Sequence, residues 1–288
     1  MPEAKIGIIG GSGLYGMEGM NEVEEVKINT PFGEPSDAII LGNLEGVRTA
    51  FLPRHGEGHC ISPSELPVKA NIYALKSLGV ERIISVSAVG SLKEEIKPLD
   101  LVIPDQVIDR TRGRDSTFFS DGIVAHVAFA EPFCPALSQT LFKAATTAGA
   151  KVHKGGTYLA IEGPQFSTKA ESQLYRSWGA DIVGMTALPE AKLAREAEIC
   201  YAILAIVTDY DCWHLSHESV TAEMILANLQ EGIDMAKKIL GLTIPSMPQL
   251  RDCACAAALK DAIVTAPQYI PEKIKRDLGL FIGKYLSK

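Results

Sequence analysis

The chain has 288 residues, 47% of them hydrophobic, and carries 35 acidic against 28 basic side chains for a formal charge of −7. That length and apolar content suffice for one large α/β domain and would permit two. Lysine and arginine are scattered without a basic face, which argues against nucleic-acid binding, and no apolar run is long enough to span a bilayer.

In chain order, Lys5 to Ile9 predicts a short buried strand that runs into Gly10-Gly11-Ser12-Gly13. Gly11 to Gly16 satisfies G-x-G-x-x-G, but a dinucleotide fingerprint should open a helix and be followed about 20 residues later by an acid that ends a second strand. Here the glycines lead into Met17-Glu18-Gly19-Met20-Asn21 and then the turn-rich Thr30 to Ser36, so an NAD site is not expected. Val47 to Leu52 alternates as a strand whose exit presents Arg54 and His55. Pro67 to Leu78 predicts a helix, and Arg82 to Val86 a strand followed by the small residues Ser87-Ala88-Val89-Gly90-Ser91. Helices are predicted over Pro135 to Ala148, Lys169 to Trp178 and Ala187 to Glu198, the last following a strand exit at Met185-Thr186. Ile199 to Val207 reads as a buried strand, and Ser219 to Leu240 has helical apolar spacing, with Gly241 as its expected stop. Strands that alternate with helices predict a mostly parallel sheet covered on both faces.

Chemistry concentrates in Thr208-Asp209-Tyr210-Asp211-Cys212-Trp213, directly after that buried strand. Open α/β sheets place ligands at such exits. Two carboxylates there can accept from an exocyclic amine and, when one is protonated, donate to a ring nitrogen, which suits a 6-aminopurine. The same spacing also fits helix capping or pairing with distant cations. Arg54 beside His55 suits an oxyanion clamp, as do the two strand-then-small-residue segments at Ser12 and Ser87, although surface ion pairs and ordinary glycine turns use the same residues. The six histidines are read as offering no zinc pair, no Cys-x-x-Cys occurs, and no metal is expected.

Eight segments in order carry a resemblance: Gly10 to Leu14, Thr30 to Gly33, Arg54 to Gly56, Ala88 to Leu92, Ala130 to Cys134, Ile161 to Ser167, Gly184 to Thr186 and Thr208 to Trp213. Together they resemble the 5′-methylthioadenosine phosphorylase family. The resemblance implies a nucleoside phosphorylase-like α/β domain with a mostly parallel mixed sheet, assembled as a trimer or a pair of trimers. It implies cleavage of methylthioadenosine by inorganic phosphate, with no cofactor. Phosphate would fall to Ser12, Arg54, His55, Ser87, Ala88 and Thr186, and the family usually carries threonine where Ser12 and Ser87 stand. Met185 would lie against the ribose, with Phe166 and Ser167 at the base. Asp209, Tyr210 and Asp211 would read adenine, with Asp209 as general acid. A 5′-group pocket would draw on Val220, Ala222, Ile225 and His126, the last from a neighbouring subunit. The segment His214 to His217 departs from the family's pattern. Adenosine or 6-oxopurine nucleosides, and a non-catalytic purine-binding module, stay as alternatives.

One domain is expected over residues 1–245, with 246–288 a helical extension packed on it. The extension carries Cys253-Ala254-Cys255, which could pair with each other or with Cys134 or Cys200. Reduced, buried thiols are expected, in keeping with a start that lacks a signal-peptide core and a cytoplasmic setting.

Overall fold

The computed structural model describes residues 4–11, 14, 19–214 and 222–286, with the side chains of 222–227 outside that description. Eleven strands form one sheet: β1 (Ile6–Gly10), β2 (Asn21–Val26), β3 (Ile39–Leu44), β4 (Val47–Pro53), β5 (Arg82–Ser91), β6 (Leu101–Ile103), β7 (Gln106–Arg110), β8 (Val152–Lys154), β9 (Thr157–Ile161), β10 (Ile182–Gly184) and β11 (Cys200–Asp209). The helices are α1 (Val68–Ser77), α2 (Pro135–Thr147), α3 (Lys169–Ser177), α4 (Ala187–Glu196), α5 (Ala222–Thr243), α6 (Glu272–Asp277) and α7 (Gly279–Leu286).

The sheet is mixed, as its edges and centre require. β1, the run Ile6 to Gly10, is buried throughout and pairs in parallel with both β4 and β5, which is why it reads as continuous apolar sequence without alternation. At the rim, β2 is the glutamate-rich segment Asn21 to Val26, an exposed edge whose charges discourage further pairing. The centre belongs to β5, which pairs in parallel with β1 and β11 and antiparallel with β10. α3 starts with a capping box between Thr168 and Glu171.

Three boundaries differ from the sequence-based expectation. β5 does not stop at Val86 but continues through Ser87 to Ser91, because β11 pairs along its length and overrides the loop tendency of Ser and Gly. α5 runs past Gly241 to Thr243. It also passes through Gly232, where a Cβ would stand 2.3 Å from Ile206 Cγ2, so that glycine lets the helix lie directly on β11. The tail forms two short helices in place of one. Its Phe281 is buried in the main core, with its ring 4.7 Å from Phe118 and 5.4 Å from Tyr73. Among the described residues no helix is long and apolar enough to cross a membrane.

Candidate active site

The exits of β1, β4, β5, β10 and β11 open into one cavity of about 510 Å³. Ten of the residues singled out by sequence line it: Arg54, His55, Ser87, Ala88, Phe166, Ser167, Met185, Thr186, Asp209 and Asp211.

Arg54 is fully buried and already engaged. Its Nε donates to Glu190 Oε1 at 2.5 Å and Nη2 to Glu190 Oε2 at 3.2 Å, while Nη1 donates to Val86 O at 2.9 Å and Nη2 to Ser85 Oγ at 2.6 Å. Burial pulls the guanidinium pKa down, but Glu190 outweighs it and the group stays above its ordinary value. One Nη1 hydrogen has no partner among the described residues, and it is the donor a ligand can take. His55 Nδ1 sits 2.8 Å from Ile61 O, so the ring donates there and offers Nε2 as an acceptor. Burial, then the Arg54 charge, pushes His55 down to about 4, so it is neutral at pH 7. His59 follows at four residues, a spacing that invites a metal, yet the two rings stack with centroids 4.2 Å apart and interplanar angle 17°. Stacked rings do not converge their nitrogens on one ion.

At the other end stand the acids. The register of β11 against β5 slips between Val207 and Asp209, a bulge at Thr208 that re-aims the aspartate. Asn228 Nδ2 holds the Thr208 carbonyl at 2.6 Å from α5. Gly90 opposes Asp209, and a Cβ there would meet Asp209 Oδ1 at 3.0 Å and Asp211 Cβ at 3.3 Å, so only glycine leaves both acids their space. Asp209 has both oxygens engaged, Oδ1 by the Asp211 amide and Oδ2 by the Thr208 hydroxyl, each at 2.7 Å. Burial raises its pKa, and those two hydrogen bonds oppose the rise. Asp211 Oδ2 is buried with no hydrogen-bond partner. Burial, with the Asp209 charge adding to it against the nearby Ser172 hydroxyl, pushes Asp211 up to about 6. The Ser87 and Ser167 hydroxyls are likewise buried and unpartnered in the cavity wall.

Some expectations fall elsewhere. Tyr210 does not line the cavity: it follows the last residue of β11, its ring stacks on His214 at 4.7 Å and its hydroxyl donates to Glu94 O at 3.3 Å. His126 is exposed, its amide bonded to Ala262 O, and it lies off this chain's cavity. Ser12 and Val220 lie outside the described residues, as do the side chains of Ala222 and Ile225. Leu14, His59, Leu229 and Ile233 line the cavity without having been singled out. Leu229 and Ile233 continue the face of α5 on which Ile225 was expected, and that periodicity was the available signal. Glu190 was missed as the partner of Arg54, for nothing in sequence says which acid meets a distant arginine.

The chain is similar to known proteins along nearly its whole length. The family model of the phosphorylase superfamily matches residues 5–244. An S-methyl-5′-thioadenosine phosphorylase of Thermosynechococcus vestitus is 57% identical over 287 residues, covering 98% of this chain and 99% of that protein. The chain belongs to the methylthioadenosine phosphorylase family. Among solved structures of the family, one from an antarctic soil metagenomic library superposes with a TM-score of 0.93 at 51% identity, covering 98% of this chain and 99% of that one. Another, from Schistosoma mansoni in complex with adenine, gives 0.83 at 35% identity, with 98% of each chain covered.

The buried ion pair generates a test. Glu190→Gln leaves the Arg54 charge without a counterion and is expected to cost about 3–5 kcal/mol, read as a lower urea midpoint. Inorganic phosphate should recover more of that midpoint in the variant than in the wild type, because the anion then pairs with Arg54. An unchanged midpoint would show that the pair carries no such weight.

Proposed function

We propose that this chain splits 5′-methylthioadenosine with inorganic phosphate, giving adenine and 5-methylthioribose 1-phosphate. The observation that carries this reading is the polarity of this cavity: donors for an anion at the Arg54, Ser87 and Thr186 end, and a carboxyl pair whose burial favours protonation at the Asp209 and Asp211 end.

Phosphate is received by the remaining Nη1 hydrogen of Arg54, the unpartnered Ser87 hydroxyl and Thr186, with Ala88 alongside, and the family resemblance adds Ser12. Glu190 already balances the Arg54 charge, so the anion is held by directed donors more than by net charge and keeps its nucleophilicity. Neutral His55 accepts at Nε2 from a protonated phosphate oxygen. Phosphate oxygen attacks C1′ as the bond to N9 breaks, and the bond electrons pass into the purine. A proton from the carboxyl pair then goes to N7, so that neutral adenine leaves. Asp209 is the candidate donor that the sequence suggests, and the hydrogen bonds favour Asp211 as the proton's resting place, since Asp209 already accepts two. The other carboxylate accepts from the 6-amino group, and a 6-oxo group would meet repulsion there. Met185, Phe166 and Ser167 flank the nucleoside, and Leu14, Leu229 and Ile233 supply apolar wall for the methylthio group. We further propose a trimer, in which His126 serves a neighbouring chain.

Side-by-side assays with and without phosphate decide the substrate. Adenine release from methylthioadenosine should be fastest and strictly phosphate-dependent, with adenosine slower by up to about 100-fold because an apolar pocket rejects a hydroxyl only weakly; faster cleavage of inosine or methylthioinosine would overturn the base assignment. The acid must hold its proton to act, so kcat/KM should be full below the Asp211 value of about 6 and decline as pH rises through it. Asp211→Asn should lower kcat by about 10²–10⁴-fold and remove that limb from the profile; a profile that keeps its shape sinks the role. Light scattering should report three times the 31.0 kDa chain mass, and a monomer at assay concentration would refute the trimer.

A further inference from the structure

On the opposite side of the fold from the cavity, four cysteines meet. Cys134 lies just before α2, Cys200 opens β11, and Cys253 and Cys255 arrive from the tail, around the short turn Ala254–Ala257. Their four sulfurs all lie within 4.8 Å of one another, and Cys200 Sγ is 3.3 Å from Cys253 Sγ. Cys134, Cys200 and Cys255 are buried and Cys253 is half-buried. Cys60 and Cys212 stand apart from the group.

We propose that Cys134, Cys200, Cys253 and Cys255 form a structural zinc site that fastens the tail to the root of β11. The inference is independent of the substrate reading. Tetrahedral zinc with Zn–S bonds of about 2.3 Å sets its sulfurs about 3.8 Å apart, and the four sulfurs here, all within 4.8 Å of one another, have spacings compatible with that. The shape of the group favours an ion over bridges. A disulfide joins two sulfurs and needs nothing from a third, whereas here each sulfur has the other three within reach, as around a shared centre. Four protein ligands leave no open coordination position, the pattern of a structural and not a catalytic zinc.

Four thiols lose their protons to solvent on binding, and no electron is transferred, so the site would carry a net charge of about −2. Arg82 is in register with Cys200 across the β5–β11 pair and donates to Pro248 O, and Arg251, two residues before Cys253, donates to Glu198 O. Both guanidinium groups therefore tie the tail down in the same corner. Cys134 precedes the first turn of α2, where the helix dipole favours a thiolate.

The test begins with untagged protein purified in reducing, metal-scavenged buffer. Elemental analysis should find about one zinc per chain, and titration with an organomercurial should release it into a chromogenic chelator as the thiols are consumed. Cobalt exchanged for zinc should give the intense visible bands of a tetrahedral thiolate. Cys253→Ser with Cys255→Ser should lose the zinc and lower the melting temperature by on the order of 10 °C, while Cys60→Ser keeps the zinc. Wild-type protein without zinc overturns the proposal. It does so whether denatured, unreduced chains show six free thiols, a plain reduced cluster, or only two, the cluster closed as two disulfides. Zinc retained in the double serine variant overturns it as well. Should that variant fail to fold, the wild-type zinc content and its mercurial release decide alone.

Discussion

The buried contact between Arg54 and Glu190 is what the rest of the cavity depends on. Arg54 comes from the exit of β4 and Glu190 from α4, and the same polar knot takes in Ile9 O of β1, Ser85 and Val86 of β5, and the Tyr201 hydroxyl of β11, which donates to Glu190 Oε2 at 2.8 Å. Removing two such charges from water costs several kcal/mol per ion, offset only when geometry and extra hydrogen bonds are good. This pair satisfies that condition in one arrangement of the five elements. A slip of any strand by one residue would present the wrong face and leave an acceptor or a donor empty. The pair thus contributes less to bulk stability than to uniqueness, and it fixes the floor on which an anion can rest.

Against that closed knot, the cavity keeps a few polar atoms open. An unpartnered buried donor or acceptor costs about 1–3 kcal/mol, yet the Ser87 and Ser167 hydroxyls and Asp211 Oδ2 are left so. They face one volume, with apolar wall between, and a ligand that reaches all of them recovers the cost. Asp209 and Asp211 divide this labour within two residues. The first has its oxygens filled by its own chain, and the second is left desolvated and unfilled. Two identical side chains therefore hold protons differently, and the bulge at Thr208 together with Gly90 is what sets them in those two environments. Just past the acids, the Trp213 indole N–H donates to Ser91 O at 2.7 Å while the Arg176 guanidinium lies over its ring.

Much of this was legible in the sequence where local pattern and tertiary role coincide. β11 is buried on both faces, so its apolar run announced itself and placed the acids at a strand exit. Where tertiary pairing overruled local tendency, the pattern misled. Ser87 to Ser91 carries loop-forming residues but is gripped by β11 and β10, and Gly241 sits in a helix that other contacts carry onward. Tyr210 shows a further limit, for the chain turns just past β11, with Asp211 at φ 50°, and sequence adjacency to the two acids did not bring its ring to the cavity. What sequence does not encode locally is partnership at long range. The tie of Glu190 to Arg54 spans 136 residues, and the gathering of Cys134 and Cys200 onto Cys253 and Cys255 was only one of several pairings that the cysteine count allowed.

The two ends of β11 make that long-range order functional. Its first residue belongs to the sulfur cluster and its last is Asp209, at the two ends of a fully buried ten-residue strand. Along that length it is held by β5 on one side and β6 on the other, and α5 lies so close that only glycine fits at position 232. A strand so confined cannot slide, and small displacements at one end are resisted by the dense packing between. A pair of acids placed at the end of such a beam is held more narrowly than a flexible loop would hold it. The tail meets the root of this strand at Cys253 and Cys255 and shares the core through Phe281.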